Sequence, residues 1–378
     1  MFRSPYSGVL KNSPGVSQRP AATLIVVCAL ALVSAAACTT PAPEDDADVT
    51  TIPTDWLGAP ADTPTHEYDL LPVDQRDGWL ELVADMVIEE RAGDTRYSFG
   101  EAPPTLALHD DGRLFVHDAG NYRVVVFSPD GEFLYQFGSR GQGPGEFNRD
   151  ARGPIGFLDG RLFVSYDYRR IGFWTPEGHM IEGTESRLGN GRMVPQDDGT
   201  LLSSAIVREI NIRQVVYTVA RFAVTPDGLE EKHRYTRVPA GLRPQFAGLR
   251  SGEAYVSTIG PGTTQITAFT RDGEARWITH LQQPPGTTVM PSDLMTDAGG
   301  RVFVMPRLNR PEELPPPVTR SVDVLAADGT HIAAAKIPDL EINIMWQQAR
   351  DEFVFGVQAD PDTHEWQVVR YRLQVTDG

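Results

Sequence analysis

The sequence contains very little cysteine. Only two of its 378 residues are cysteines, Cys28 and Cys38, and both lie near the N-terminus. The chain after residue 38 therefore has no thiol with which to form a disulfide or to act as a nucleophile. It also lacks the Gly-x-Ser-x-Gly motif of a hydrolase nucleophile elbow, and its eight histidines show no paired spacing of the kind found in zinc sites. We therefore predict no bound metal and no cofactor.

Positive charge is scarce as well. The chain has 34 Lys and Arg against 51 Asp and Glu, which gives a formal net charge of −17. Cleavage after residue 37 would remove three basic residues and no acidic one, so the remainder would carry (34 − 3) − 51 = −20. Nucleic acids and anionic membrane surfaces are themselves negatively charged, and this balance argues against both as general partners.

No long apolar run marks a membrane-spanning helix. The apolar stretch at residues 21–33 is 13 residues long, whereas a spanning helix needs about 20. Basic residues precede it and small residues lead from it to Cys38, an order typical of an export signal. The run before Cys38 resembles a bacterial lipobox. We predict a signal peptide over residues 1–37 and lipidation of Cys38, while ordinary cleavage would instead leave a freely secreted protein.

The segment after Cys38 has little capacity to fold. Residues 38–70 are rich in Pro, Thr, Asp and Ala and poor in large apolar side chains. Such a composition cannot bury enough apolar surface to offset the entropy of ordering the chain. We predict a disordered tether that joins the lipid to a folded domain. The expected location is the cell envelope, on the outer membrane where one is present.

A glycine-containing turn recurs along the rest of the chain at nearly constant spacing. Asp-Gly or Glu-Gly pairs place glycine at residues 131, 178, 228, 273, 329 and 378, with spacings of 47, 50, 45, 56 and 49 residues. A second mark of this kind lies earlier in each unit, and short β-branched or aromatic runs lie between the marks. A period near fifty with four strand-like runs per unit is typical of a β-propeller.

The two ends of the repeat array complement each other. The sixth unit stops at Gly378, where its fourth strand should begin, while residues 79–89 form a spare strand-like segment before the first unit. We predict that this segment is the outer strand of the last blade, because closure removes an open sheet edge. The predicted fold is all-β: a six-bladed β-propeller over residues 71–378, with four-stranded antiparallel blades and a ring closed by an N-terminal strand.

The first unit carries the most specific motif. Residues 114–127, followed by residues 137–147, resemble an NHL repeat, with Asp118, Asn121 and Arg123 at motif positions. The chain is also similar to six-bladed propeller lipoproteins of bacterial envelopes. NHL propellers include RNA-binding, protein-binding, sensor and lyase members, so the resemblance implies the fold without choosing a function. We expect the three motif residues to close a loop rather than to perform chemistry.

The connections between predicted strands differ between the two faces of the ring. The Asp-Gly turns are short and share one face, and the long, irregular loops share the other, which we call the long-loop face. Binding residues concentrate on loops that a rigid scaffold holds. The long loops are rich in arginine, which suits carboxylates and other anions, although ordinary surface arginines are an alternative explanation. The candidate ligand-binding residues are Arg152, Arg170, Arg192 and Arg243, with Phe246 and Trp346 as apolar walls.

These features favour a binding or protein-interaction module, expected to be a monomer, whose long-loop face takes an unknown protein, peptide or glycan. The alternative is a metal-assisted hydrolase, lactonase or lyase with its site at the mouth of the central channel. That enzyme would bring several of His117, Asp293, Glu341 and Asn343 together at the mouth. A binding module would show an arginine and aromatic rim there instead.

Overall fold

The computed structural model contains strands and almost no helix. It describes residues 59–70, 80–147, 153–166, 170–186, 188, 191–209, 214–239, 244–260, 263–282, 292–306, 320–337, 345–350, 353–360 and 362–375. The predicted signal peptide and Cys38 lie outside these residues. Within the described part, no helix has the length and apolar character needed to cross a membrane.

Two N-terminal strands precede the strands of the first three repeat units. They are β1 (Thr65–Asp69) and β2 (Leu80–Ile88). The next strands in chain order are β3 (Thr105–Leu108), β4 (Leu114–Asp118), β5 (Arg123–Phe127), β6 (Phe133–Phe137), β7 (Ile155–Leu158), β8 (Arg161–Tyr166), β9 (Arg170–Trp174), β10 (Met180–Glu185), β11 (Met193–Pro195), β12 (Thr200–Glu209), β13 (Gln214–Thr225) and β14 (Gly228–Pro239).

The remaining units repeat this pattern to the C-terminus. Their strands are β15 (Gln245–Gly248), β16 (Ala254–Gly260), β17 (Thr263–Phe269), β18 (Ala275–Gln282), β19 (Ser292–Thr296), β20 (Val302–Pro306), β21 (Arg320–Leu325), β22 (His331–Ile337), β23 (Met345–Arg350), β24 (Phe353–Ala359) and β25 (Trp366–Val375). A single 3-10 turn (Ala119–Asn121) separates β4 from β5.

The recurring glycines form the tight turns that the sequence predicts. Gly131 has φ +82° and its N–H donates to the carbonyl of Ser128 at 3.0 Å, which closes the turn between β5 and β6. Gly329 repeats this geometry between β21 and β22, with φ +90° and a bond to Ala326. Residues with a β-carbon are strained at such φ values, so glycine directs the chain back antiparallel at these points.

The strands assemble into six sheets, which we number as blades in chain order. Blades 1 to 5 are β3–β6, β7–β10, β11–β14, β15–β18 and β19–β22, and blade 6 contains β23, β24, β25 and β2. Neighbouring strands within each of these sets are antiparallel. The first strand of each blade is innermost, and β23 contacts β3 as well as β19, which closes the ring. The predicted six-bladed fold is confirmed.

The N-terminal strand closes the last blade as predicted. Strand β2 pairs antiparallel with β25, and Ile88 lies opposite Val368. Both side chains are buried in a core shared by blades 6 and 1, which also contains Phe127 and Phe355. The outer strand of blade 6 therefore comes from the opposite end of the chain. Similar apolar clusters fill the spaces between blades 1 and 2, 2 and 3, 3 and 4, and 4 and 5.

The prediction of a disordered tether is wrong for its last residues. Strand β1 (Thr65–Asp69) pairs parallel with β18 as a fifth strand of blade 4, so that blade also differs from the predicted four strands. Hydrogen bonds of 2.8 Å from Ile278 N to the Pro64 carbonyl and from Leu70 N to the Gln282 carbonyl extend the pairing. The free edge of β18 supplies backbone partners, and Leu70 is buried in the core between blades 4 and 5. A segment of polar composition thus becomes ordered through main-chain bonds.

Candidate functional site

The long-loop face contains the connections from the second to the third strand of each blade and from each blade to the next. The channel mouth on this face is lined by the start of each inner strand. Backbone pairing makes one position of the second strand equivalent in blades 1 to 5. This position is occupied by His117, Ser165, Ser204, Ser257 and Met305. Four of the five are polar, and three of these four, His117, Ser165 and Ser257, are buried.

Arg192 lies at this mouth and connects three blades. It directly precedes the inner strand of blade 3. Its Nη1 donates to the carbonyls of Phe246 in blade 4, at 3.2 Å, and Leu294 in blade 5, at 2.6 Å. Within the described residues, Nε and Nη2 have no hydrogen-bond acceptor, and Arg192 as a whole is half-buried. Burial lowers the pKa of the Arg192 guanidinium, and the nearby Asp293 carboxylate opposes that shift. The predicted channel position of Arg192 fits this geometry.

Three of the equivalent polar side chains have no hydrogen-bond partner. These are the two ring nitrogens of His117 and the hydroxyls of Ser165 and Ser257. His117 is 1% exposed and its ring packs against Phe147 with centroids 5.2 Å apart. Burial lowers the pKa of His117 to about 4, opposed by the nearby Gly153 backbone and Asp118. The imidazole is therefore neutral at physiological pH.

Of the other predicted binding residues, three lie within the described part of the chain: Arg170, Phe246 and Trp346. Arg152 and Arg243 lie outside the described residues, as do Glu341 and Asn343 of the alternative enzyme site. Arg170 is exposed at the first residue of β9, and Trp346 lies in the inner strand of blade 6.

The assignment of Phe246 as an apolar wall of the site is wrong. Its side chain is 4% exposed and packs in the core between blades 3 and 4 with Leu202 and Phe269. Successive side chains of a strand point to opposite faces of the sheet, so a residue can line the mouth with its backbone and the core with its side chain. Phe246 contributes its carbonyl to Arg192 and leaves no ring for a ligand.

The motif residues of the first unit form a buried network, as expected. The Asp118 side chain is fully buried and accepts from Gly100 N at 3.0 Å, from Asn121 N and Nδ2 at 3.2 and 2.8 Å, and from Arg123 Nε at 3.0 Å. Arg123 also donates to the Ser98 carbonyl at 2.6 Å. Two of these partners, Gly100 and Ser98, belong to the connection between blades 6 and 1. The network therefore fastens that connection and supports ring closure.

A second mouth, which sequence analysis did not single out, opens on the opposite face. Turns between the first and second strands of blades 1 to 4 surround a cavity of about 210 Å³ there. Its lining includes Asp110, Asp159, Gln196, Asp197 and Arg250. The available signal was the acidic residue that recurs in the first turn of three successive units. Its meaning depended on blade order, because these turns are far apart in sequence.

Comparison with known proteins agrees with the fold. Residues 101–152 match the family DUF5128, which is described as a 6-bladed β-propeller. No curated protein matches the chain. A protein of Bacteroides fragilis described as exported is similar at 11% identity, with a TM-score of 0.55, covering 83% of this chain and 100% of its own.

Two further structures are similar at lower scores. A member of the duf4221 family from Bacteroides vulgatus has 13% identity and a TM-score of 0.49, covering 79% of this chain and 99% of its own. Virginiamycin B lyase from Staphylococcus aureus has 10% identity and a TM-score of 0.44, covering 77% and 98%. At such identities, structural likeness shows the fold alone, because one propeller architecture carries many activities. The chain is thus a six-bladed β-propeller whose activity must be argued from its own residues.

Proposed function

We propose that this protein is an exported, lipid-anchored propeller that binds an anionic group of its ligand at the long-loop mouth through Arg192. One observation carries the proposal. The Arg192 guanidinium is held through Nη1 by two main-chain carbonyls, and in the described residues no carboxylate is hydrogen-bonded to it and no acceptor pairs with Nε or Nη2. A guanidinium with two nitrogens that have no acceptor is suited to paired hydrogen bonds with a carboxylate.

The chemistry of the mouth favours a carboxylate-bearing peptide or glycan. The chain as a whole carries a charge of −17, which repels anions at long range, so recognition of an anion has to be local. Unpartnered hydroxyls at Ser165 and Ser257 lie at equivalent positions around the same ring and supply further polar character. The predicted export signal and the predicted lipidation of Cys38 support an envelope location, with which the description of the similar Bacteroides fragilis protein agrees.

A hydrolase or lyase is the second candidate, and His117 is the observation that favours it. An imidazole with two unpartnered nitrogens is a plausible general base. Two features weigh against this role: the ring is 1% exposed, and a pKa of about 4 makes it a weak base at neutral pH. Asp293, the other described member of the expected cluster, is the second residue of the inner strand of blade 5, whereas His117 is in blade 1. Binding is therefore the better supported function.

The test is calorimetric titration of the folded protein with a tri-glutamate peptide and with a uronic-acid oligosaccharide. We expect one probe to bind, and Arg192→Gln to weaken binding about tenfold or more because a charge-assisted hydrogen bond is lost. Arg192→Lys should weaken it less, since the charge remains without the fork. The matched control is Arg161→Gln. Arg161 Nη1 lies 2.7 Å from Glu182 Oε1, and the pair is not part of the long-loop mouth.

The outcomes separate binding from support of the fold. Thermal denaturation of each variant shows whether a loss of affinity reflects unfolding. If both probes fail to bind wild type, or if Arg161→Gln lowers affinity as much as Arg192→Gln, the proposal is wrong. The anchor has its own test: Cys38→Ser should move the protein from the membrane fraction to the soluble fraction, and unchanged fractionation would remove that part of the proposal.

A further inference from the structure

The cavity on the short-turn face has an acidic lining. Asp110, Asp159 and Asp197 come from the first turns of blades 1, 2 and 3, and the only described cation among the lining residues is Arg250 from blade 4. Arg250 Nη1 lies 3.0 Å from Asp110 Oδ1, so one carboxylate is already paired. Three carboxylates and one guanidinium give the cavity lining a net charge of −3 + 1 = −2.

A buried amide adds an unsatisfied acceptor to this lining. Gln196 is 4% exposed, and its Nε2 donates to the Leu249 carbonyl at 3.0 Å. Its Oε1 is buried without any partner. The turn backbone fixes the residue, because Gln196 N donates to the Thr200 carbonyl and Gly199 N donates to the Gln196 carbonyl. A buried amide oxygen without a hydrogen bond lowers the stability of the fold unless a ligand or a water molecule donates to it.

Aromatic side chains form another part of the wall. The rings of His109 and Phe157 meet edge to face with centroids 4.7 Å apart, and both residues line the cavity. Aromatic faces and edges accommodate the carbon skeleton of a small ligand and attract a neighbouring cation. The volume of about 210 Å³ is below the ~300–1,000 Å³ of pockets for drug-sized molecules, so the ligand must be small.

We propose that this cavity binds a small organic cation, a protonated amine or a guanidinium. One N–H of the ligand donates to Gln196 Oε1, the carboxylates of Asp159 and Asp197 balance its charge, and its carbon chain lies against Phe157. A bare metal ion fits less well, because no three His, Cys, Asp or Glu side chains in the described residues are placed to share one. This site lies on the face opposite Arg192 and selects the opposite charge, so it is independent of the function proposed above.

The experiment titrates the folded protein with 1,4-diaminobutane and agmatine, which present an ammonium and a guanidinium. Tetramethylammonium tests the need for an N–H donor, and Ca²⁺ tests the metal alternative. We expect saturable binding of at least one of the first two probes, and binding at least about fivefold weaker for tetramethylammonium because it cannot satisfy Gln196.

Variants locate the binding in the cavity. Asp197→Asn and Asp159→Asn should each weaken binding roughly five- to tenfold by removing a charged acceptor. Asparagine also tolerates the φ of +50° found at Asp159. Arg250→Gln should strengthen binding, since it removes a positive charge from the cavity lining and changes the local charge from −2 to −3. The matched control is Asp227→Asn, an exposed residue in an outer turn on the same face that is absent from the cavity lining.

Each remaining outcome overturns the proposal. Equal affinity for tetramethylammonium and the amines would show that no donor is recognised, and tighter binding of Ca²⁺ would show a metal site instead. Equal losses in Asp227→Asn and Asp197→Asn would show attraction to net charge only. An unchanged affinity in Arg250→Gln, a variant that leaves the turn backbone intact, would contradict the charge argument even if the aspartate variants misfold.

Discussion

Replacing Asp118 tests whether the buried network of blade 1 holds the ring closed. Asp118→Ala removes an acceptor of four hydrogen bonds and leaves the side chain of Arg123, which is 11% exposed, without its carboxylate. Removal of one partner of a buried ion pair costs about 3–5 kcal/mol. At 2–4 °C per kcal/mol for a domain of 150–250 residues, the melting temperature should fall by about 6–20 °C.

Two assays measure this loss. Urea denaturation followed by tryptophan fluorescence reports the free energy of unfolding, since Trp174 and Trp277 are buried and change environment on unfolding. Limited trypsin digestion reports the local effect, because the connection that Asp118 fastens contains two cleavage sites, Arg91 and Arg96. We expect faster cleavage there in Asp118→Ala than in wild type under conditions that keep both proteins folded.

The control and the refuting result are both defined by the structure. Asp130→Asn removes one carboxylate from an exposed turn of the same blade and should change stability by less than about 0.5 kcal/mol. A loss below about 1 kcal/mol in Asp118→Ala, with trypsin cleavage as slow as in wild type, would refute the view that this network supports closure.

Three further predictions concern the pH dependence, a close backbone contact between two glycines, and the added strand. Burial lowers the pKa of His117 to about 4, against 6.5 in the unfolded chain, so the unfolded chain binds more protons between these pH values. The free energy of unfolding should therefore fall by up to ~3 kcal/mol as the pH drops from 6.5 to 4. Urea denaturation measures this change, and His117→Leu should abolish it. A β-carbon at Gly100 would lie 2.6 Å from Gly120 Cα, so Gly100→Ala should cost about 1–3 kcal/mol by the same assay, while Gly299→Ala, where the nearest atom is at 3.4 Å, should cost less. Leu70→Asp should release β1 and expose the edge of β18, which light scattering should detect as self-association; a strictly monomeric variant would contradict the protective role of β1.

The fold could be predicted from the sequence because it depends on local signals that repeat. Asp-Gly turns return the chain at fixed intervals, and the apolar runs between them have the length of strands. The spare segment before the first unit predicted the outer strand of the last blade, which the structure forms by pairing β2 with β25. The network around Asp118 followed from a short motif, since Asp and Asn bond to nearby backbone groups wherever they occur in turns.

The details that failed depend on partners distant in sequence. Residues 65–69 are ordered because β18 offers an unpaired edge, which a composition-based argument cannot see. Phe246 points into the core because of its register with Val256, and a shift of one residue would have turned it the other way. The Arg192 carbonyl contacts span 54 and 102 residues of sequence, so only its position near a strand start could be predicted.

The sequence alone determined the architecture, the number of blades and the way the ring closes, because turn chemistry and strand periodicity act over a few residues. The tertiary structure alone decided what the two channel mouths present. Six blades around one axis bring Arg192 to carbonyls of two neighbouring blades and gather Asp110, Asp159 and Asp197 around one cavity. The electrostatic character of each mouth is a sum over residues that only ring closure places together.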